Sequence, residues 1–511
     1  MGRVVTVMLR PDQPLSIEDV VMVARLGARV ALHRDSVAAM KRSRAVVESA
    51  LGDGRAHYGI NTGFGSLSKQ RISSSDLATL QRNLVRSHAA GVGPPLPSEV
   101  VRGMLLLLAA SLGRGLSGVR PELAKTIVDV LNAGILPVVP EVGSVGASGD
   151  LAPLAHIALV LTGEGRAVIG GREMAGGKAL ASAGIRPISL GAKEGLALIN
   201  GTHLMAARGA LLCFDAERLL RAAWAGLAMS IDACRATDSF LDERLYEARA
   251  HWGAQTTAAA VRALLAGSEI VKSHRKNDPR VQDPYSLRAA PTVLGAVDLA
   301  LTHIDVCIGQ ELGAVTDNPL VFAEGAKSAI VSGANFHGLP VALPLDYLAI
   351  AISHLAGISE RRTYLMTGAF EPESHLKPFL APRPGLQSGL MIAQYTAAAC
   401  VNEIVGLTMP ASPVNIPTSA GMEDYNSFGP RSAAKAARCV DLARRVVAIE
   451  MMCAAEGLEH HRPLKSGKGV ERALSRVRSV VPKLKDDREL TGDIEGIAGL
   501  IAAGAFDDLS E

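Results

Sequence analysis

Residues 433–458, "AAKAARCVDLARRVVAIEMMCAAEGL", form the pattern that most limits what this chain can become. Alanine favours helix throughout, and apolar residues fall on more than one face. A helix apolar all round must be covered on several sides, as in the middle of a bundle. A second stretch, "LDYLAIAISHLAGI" at 345–358, places Leu345, Leu348, Ile352 and Leu355 at spacings of three and four, one helical stripe. Together they predict a mainly α protein built on long helices packed against one another.

The first 200 residues read differently. Glycine and proline break them repeatedly, in "YGINTGFG" (58–65), "GVGPPLP" (91–97) and "GILPVVPEVGSVGASG" (134–149). Around "GEGRAVIGGREMAGGKAL" (163–180) β-branched residues alternate with glycine pairs, which predicts a small strand-and-turn patch. The expected organisation is an N-terminal region, 1–200, of mixed helices and Gly-rich loops with a little β. A long-helix bundle with a C-terminal helical region then fills 201–511.

Composition removes several function classes. With 53 basic and 50 acidic residues, and no dense Lys/Arg run interleaved with aromatics, no nucleic-acid partner is expected. Charge-free apolar runs such as "MLLLLAASLG" (104–113) fall short of the ~20 residues that span a bilayer, so no membrane partner is expected either. Six scattered cysteines without a Cys-x-x-Cys pair suit a reducing, cytoplasmic setting. The 13 histidines show no His-x-x-x-His spacing on a helix, and the His460-His461 pair lacks a third ligand, so no metal is expected.

The chemistry concentrates in "GSVGASGDLAPLAH", residues 143–156. Read plainly, this is turn and N-cap chemistry: Ser148 or Asp150 caps, and "LAPLAHIALVL" follows as helix. A tight turn of this composition allows more. Glycine's nitrogen is the least hindered attacker, alanine's carbonyl an unshielded target, and serine's hydroxyl can leave as water. Cyclisation with loss of two waters would give a five-membered ring bearing an exocyclic methylene, an electrophile made from the chain itself.

The same stretch resembles the signature of the aromatic amino acid ammonia-lyase family, whose members build a 4-methylidene-imidazol-5-one (MIO) from Ala-Ser-Gly in this context. Here the group would come from Ala147, Ser148 and Gly149. The resemblance recurs in order along the chain. "YGINTGFG" is similar to the family's tyrosine loop, "NLVRSHAAGVG" (83–93) to its selectivity segment, and "EGLALINGT" (194–202) to its asparagine motif. "QDPYSLR" (282–288), "TDNPLVF" (316–322), "NFHG" (335–338), "SERR" (359–362) and "PTSAGMED" (417–424) complete the series. The resemblance implies the helical superfold shared with fumarase- and aspartase-like enzymes. It also implies a homotetramer whose active sites draw residues from more than one subunit.

Residue roles follow from the resemblance and from the chemistry. Eliminating ammonia from an α-amino acid requires an activated amine and removal of a weakly acidic β-hydrogen. Tyr58 is the expected base. Arg288 offers a planar fork that matches an α-carboxylate in a bidentate pair. Asn200 and Tyr285 can donate hydrogen bonds to the carboxylate or to charge developing on the ring. Gln282 would contact the substrate or Tyr285, and Phe336 would wall the pocket.

Ser87-His88 is similar to the pair found in the histidine branch, and Glu423 could accept from an imidazole. A buried carboxylate against a phenyl ring would be costly. These features imply L-histidine as substrate and trans-urocanate as product. Gly421, Met422, Tyr425, His203, Ala289, Ala290, Gln387 and Leu390 depart from what histidine-specific members commonly carry. A phenylalanine or tyrosine ammonia-lyase, a lyase on a modified histidine and an MIO-dependent 2,3-aminomutase stay open.

Overall fold

The computed structural model describes residues 5–63, 70, 72–73, 75–276 and 278–509. The fold is mainly α, as the helical periodicity predicts. Long helices span His203–Ala233, Ala290–Glu311, Leu339–Gly368 and Gly429–Glu459. Leu345, Leu348, Ile352 and Leu355 are all fully buried, the stripe read from their spacing. By length and composition alone, two helical stretches, Tyr285–Glu311 and Leu339–Gly368, could cross a membrane. All six cysteines are free.

The chain divides into two compact units, each discontinuous in sequence. The first comprises residues up to Phe214, Asp305–Asp346 and Pro410–Ala434. It holds several small sheets: a parallel pair (Thr6–Leu9 with Arg29–Leu32), two antiparallel pairs (Val92–Pro95 with Pro140–Val142, Leu320–Phe322 with Ala329–Val331) and a three-stranded sheet. In the last, Arg166–Ile169 and Arg172–Ala175 form a hairpin whose two-residue turn is Gly170-Gly171, both at positive φ. Such turns match the twist of the flanking strands and need residues that tolerate positive φ. The expected strand-and-turn patch therefore ends at Ala175. The second glycine pair opens a helix, Gly176–Ser182, instead.

Helix Leu151–Leu161 follows the Gly-rich stretch as expected, but its cap does not. Neither Ser148 nor Asp150 makes a side-chain cap to it. The Asp150 carboxylate instead accepts from the backbone N–H groups of Leu204 (2.8 Å) and Met205 (3.2 Å), at the start of His203–Ala233. One helix's boundary residue thus satisfies the orphan donors of another, where the N-terminal dipole favours an acid.

The second unit comprises Asp215–Ile304, Tyr347–Met409 and residues from Lys435 onward. From Ala443 to Leu458 of the helix Gly429–Glu459, buried side chains occur on every face. One of them is charged: Glu450 is fully buried and accepts from Arg362 Nε (2.5 Å) and Nη2 (2.7 Å), Ser230 Oγ (2.7 Å) and Ser359 Oγ (2.5 Å). A buried carboxylate persists only with such a complete set of donors.

Candidate active site

The first unit encloses a cavity of about 910 Å³. Seven of the residues given a role from the sequence line it: Tyr58, His88, Ala147, Ser148, Asn200, Phe336 and Glu423. They come from six separate loops and helix ends, which local periodicity could not have brought together.

The floor is the 143–150 loop. Gly149 sits at φ +70, and a Cβ on it would meet the Gly201 carbonyl oxygen at 2.2 Å. Only glycine fits there, for backbone conformation and for space alike. The loop is pinned from several sides. Asp150 N–H donates to Gly201 O (2.7 Å), Phe428 N–H to Val145 O (2.9 Å), Ser427 Oγ to Gly146 O (2.9 Å) and Ser144 Oγ to Gly149 O (3.1 Å). Asp150 is fully buried, and burial pushes its pKa up to about 7 despite its two backbone donors.

Ala147 is buried, while Ser148 points its hydroxyl at Glu423, donating to Oε1 at 2.8 Å. Glu423 Oε2 accepts from Thr418 Oγ1 at 3.0 Å, which fixes the carboxylate. The Ser148 carbonyl faces Asn200. With its amide turned to satisfy both ends, Asn200 donates to Ser148 O at 3.0 Å and accepts from Asn318 N–H at 2.9 Å. A constrained turn of minimal side chains, with the serine hydroxyl held on a carboxylate at the cavity and an amide donor on the serine carbonyl, fits formation of MIO from Ala147, Ser148 and Gly149. Ser148 O is the oxygen that would stay exocyclic on the ring.

Tyr58 opens a turn held by Asn61, whose Oδ1 accepts from His57 N–H (2.7 Å) and whose Nδ2 donates to Arg55 O (2.8 Å). The end of that motif, Phe64-Gly65, lies outside the described residues. His88 ends helix Leu77–His88, and its Nδ1 lies 2.8 Å from the Leu84 carbonyl oxygen. A carbonyl only accepts, so Nδ1 carries a proton in this contact, and in the neutral ring Nε2 is the acceptor nitrogen.

Gln282, Tyr285 and Arg288 belong to the second unit and do not line the cavity. They form a set of their own. Arg288 Nη2 donates to Gln282 Oε1 (2.8 Å), its Nε donates to Asp283 O (2.9 Å), and its guanidinium stacks over the Tyr285 ring at 4.4 Å. Tyr285 is 71% exposed.

Of the departures, Met422 and Tyr425 line the cavity. His203, three residues after Asn200, is buried, and burial lowers its pKa to about 4. Gln387 lies in the second unit, bonded to Arg383 N–H and the Lys485 carbonyl. Sequence reasoning missed Lys193, Asp317 and Asn318, a buried polar group behind Asn200. The signal was present: a lysine and an aspartate bracketing otherwise apolar motif segments, where a charge is retained only with a partner. Among the described residues no three His, Cys, Asp or Glu side chains are grouped to hold a metal ion.

Residues 15–479 match the family described as aromatic amino acid lyase. The chain is similar to a histidine ammonia-lyase of Gloeobacter violaceus, at 48% identity over 490 residues, 96% of this chain and 95% of that one. Among solved structures it resembles histidine ammonia-lyase from Trypanosoma cruzi, with a TM-score of 0.91 and 39% identity over 99% of this chain and 95% of that one. Tyrosine aminomutase from Streptomyces globisporus superposes with a TM-score of 0.92 at 35% identity, covering 99% of this chain and 98% of that one.

Proposed function

The chain belongs to the aromatic amino acid lyase family and is a carbon–nitrogen lyase, and from that premise we propose that it converts L-histidine to trans-urocanate and ammonia. The observation that carries the reading is the pairing, over one cavity, of Ser148 with Glu423 at 2.8 Å and of Ser148 O with Asn200 at 3.0 Å. Ala147, Ser148 and Gly149 would cyclise to MIO with loss of two waters, with no external cofactor. When formed, that ring would supply an electrophilic methylidene carbon that makes the substrate's nitrogen a better leaving group, with the usual polarity of covalent catalysis reversed.

The remaining work falls to side chains. The Tyr58 oxygen takes the β-proton, the C–H electrons form the Cα–Cβ double bond, and the Cα–N bond breaks to release ammonia. Asn200 Nδ2 holds the Ser148 carbonyl oxygen, where negative charge gathers. His88 Nε2 accepts from the substrate imidazole and Glu423 pairs with its other edge, while Phe336 excludes water from the ring face. Arg288 grips the α-carboxylate in a bidentate pair, with Gln282 and Tyr285 beside it.

The last three reach the cavity from a neighbouring subunit of a homotetramer. The exposure of Tyr285, and the absence of this set from the lining of the cavity in its own chain, support that assignment. In this reading residues 1–200 carry the electrophile and 201–511 the bundle. Its partners are the free amino acid and its own copies, with neither nucleic acid nor membrane, and six free cysteines suit the cytoplasm.

Steady-state assays on L-histidine, L-phenylalanine and L-tyrosine, with product identification, test the substrate. Preference for histidine by kcat/KM is expected. Turnover only of the other two, or β-amino acid among the products, would replace this reading with a different lyase or an aminomutase.

A further inference from the structure

Behind Asn200 lies a buried ion pair that the mechanism above does not use. Helix Glu194–Ile199 is six residues long and wholly buried, with Lys193 at its start and Asn200 at its end. Lys193 is fully buried, in the left-handed conformation at φ 74, and its Nζ lies 2.5 Å from Asp317 Oδ2. Asp317 and Asn318 are 2% and 5% exposed. The other Asp317 oxygen, Oδ1, accepts from Asn318 N–H at 2.6 Å.

The Asn200 amide has two orientations related by a half-turn, of which one satisfies both of its ends. In that one, its nitrogen donates to Ser148 O at 3.0 Å and its oxygen accepts from Asn318 N–H at 2.9 Å. A half-turn of the amide would bring the nitrogen toward Asp317 Oδ1 at 3.4 Å and Asn318 O at 3.3 Å, at the cost of setting its oxygen against the Ser148 carbonyl and its nitrogen against Asn318 N–H. The choice is a competition between a neutral carbonyl and a carboxylate for one NH₂ group. A bare carboxylate in a dry interior would win, because hydrogen bonds to ionised acceptors are about twice as strong as neutral ones. A cation 2.5 Å from that carboxylate removes the advantage.

We propose that Lys193 is a positioning residue for the elimination: by neutralising Asp317, it keeps the Asn200 nitrogen on the Ser148 carbonyl oxygen. The inference rests on the function proposed above and adds to it a residue that touches neither substrate nor ring. It gives the lysine a catalytic consequence that an ion pair serving only stability would not have.

The test is a double-mutant cycle, read on whichever aromatic amino acid the parent enzyme turns over. A failed substrate assignment therefore does not confound it. Lys193→Met should lower kcat roughly a hundredfold, the usual cost of losing one such donor, with KM nearly unchanged. Intact mass should still show the loss of two waters. In an Asn200→Ala background the same substitution should cost nothing further, because the residue it acts through is gone. Equal losses in both backgrounds, or an unchanged kcat in Lys193→Met, would overturn the proposal. The variant Lys193→Met/Asp317→Asn buries no lone charge and is measured alongside, so the test stands even if the single variant does not fold. It should recover kcat to within about tenfold of the parent. If it is as slow as Asn200→Ala, the pair does not act by withholding a carboxylate and the proposal fails.

Discussion

Ser148 Oγ donates to Glu423 Oε1 at 2.8 Å, joining two residues 275 positions apart in the sequence. The hydroxyl that would leave as water during ring formation thus sits against the carboxylate assigned to the substrate's imidazole. A ring built at 147–149 would present its methylidene carbon, the former Ser148 Cβ, to this same corner of the cavity. The amine and the imidazole of one histidine would then be held by neighbouring groups.

Glu423→Gln keeps the shape of that corner and removes its charge. A hydrogen bond to a charged group is worth about 1.5–3 kcal/mol, so kcat/KM on L-histidine should fall roughly tenfold to a hundredfold. Activity on L-phenylalanine relative to histidine should rise. Steady-state kinetics on both substrates checks this, and an unchanged ratio would detach Glu423 from substrate selection.

Tyr58→Phe removes the phenol oxygen proposed as the base. The loss expected for a positioned acid–base group is about 10²–10⁴ in kcat, with KM close to the parent value. Intact mass should still show the two-water deficit. A variant with near-parent kcat would require another base.

Arg288→Lys keeps a positive charge but loses the planar fork, together with the bond to Gln282 Oε1 at 2.8 Å. Its KM should rise and kcat/KM fall by about tenfold or more, while the mass of the assembly in solution is unchanged. The substitution is not conservative at a bidentate site.

Asp150 and His203 make opposing demands on stability as pH changes. Burial raises Asp150 from 3.8 to about 7, so the stability it contributes is full below pH 3.8 and lost as pH rises toward 7. Burial lowers His203 from 6.5 to about 4, so its contribution is present above pH 6.5 and lost as pH falls toward 4. Between pH 4 and 6.5 the two largely offset. Relative to the parent, His203→Gln should lose stability as pH rises across that window, by up to about 1.4 kcal/mol per pH unit. Asp150→Asn should gain stability across the same window. Denaturant midpoints at pH 4.5, 5.5 and 6.5 distinguish these slopes from a parallel offset.

The long helices were legible because burial on several faces leaves a local record. Ala443–Leu458 shows it in residue type alone. The loop at 143–150 was legible through its chemistry: Gly149 stands where a Cβ would strike the Gly201 carbonyl. Partnerships between distant segments were not. Asp150 reads as the cap of the helix it precedes, yet it serves Leu204 and Met205, because the sequence does not say which helix start lies nearest. Lys193 and Asp317 stand 124 residues apart, and neither segment alone shows that one neutralises the other. Likewise Gln282, Tyr285 and Arg288 lie close enough in sequence to meet, as they do, but their spacing does not say whose cavity they would serve.

The central claim is that Ala147, Ser148 and Gly149 are reactants in building an electrophile for ammonia elimination. The most direct measurement pairs intact mass with urocanate absorbance on L-histidine, for the parent enzyme and for Ser148→Ala. The account predicts a parent lighter than its sequence by two waters that releases urocanate and ammonia in equal amounts. It also predicts a folded Ser148→Ala variant of full calculated mass with little activity. A Ser148→Ala variant that retains parent turnover would contradict it.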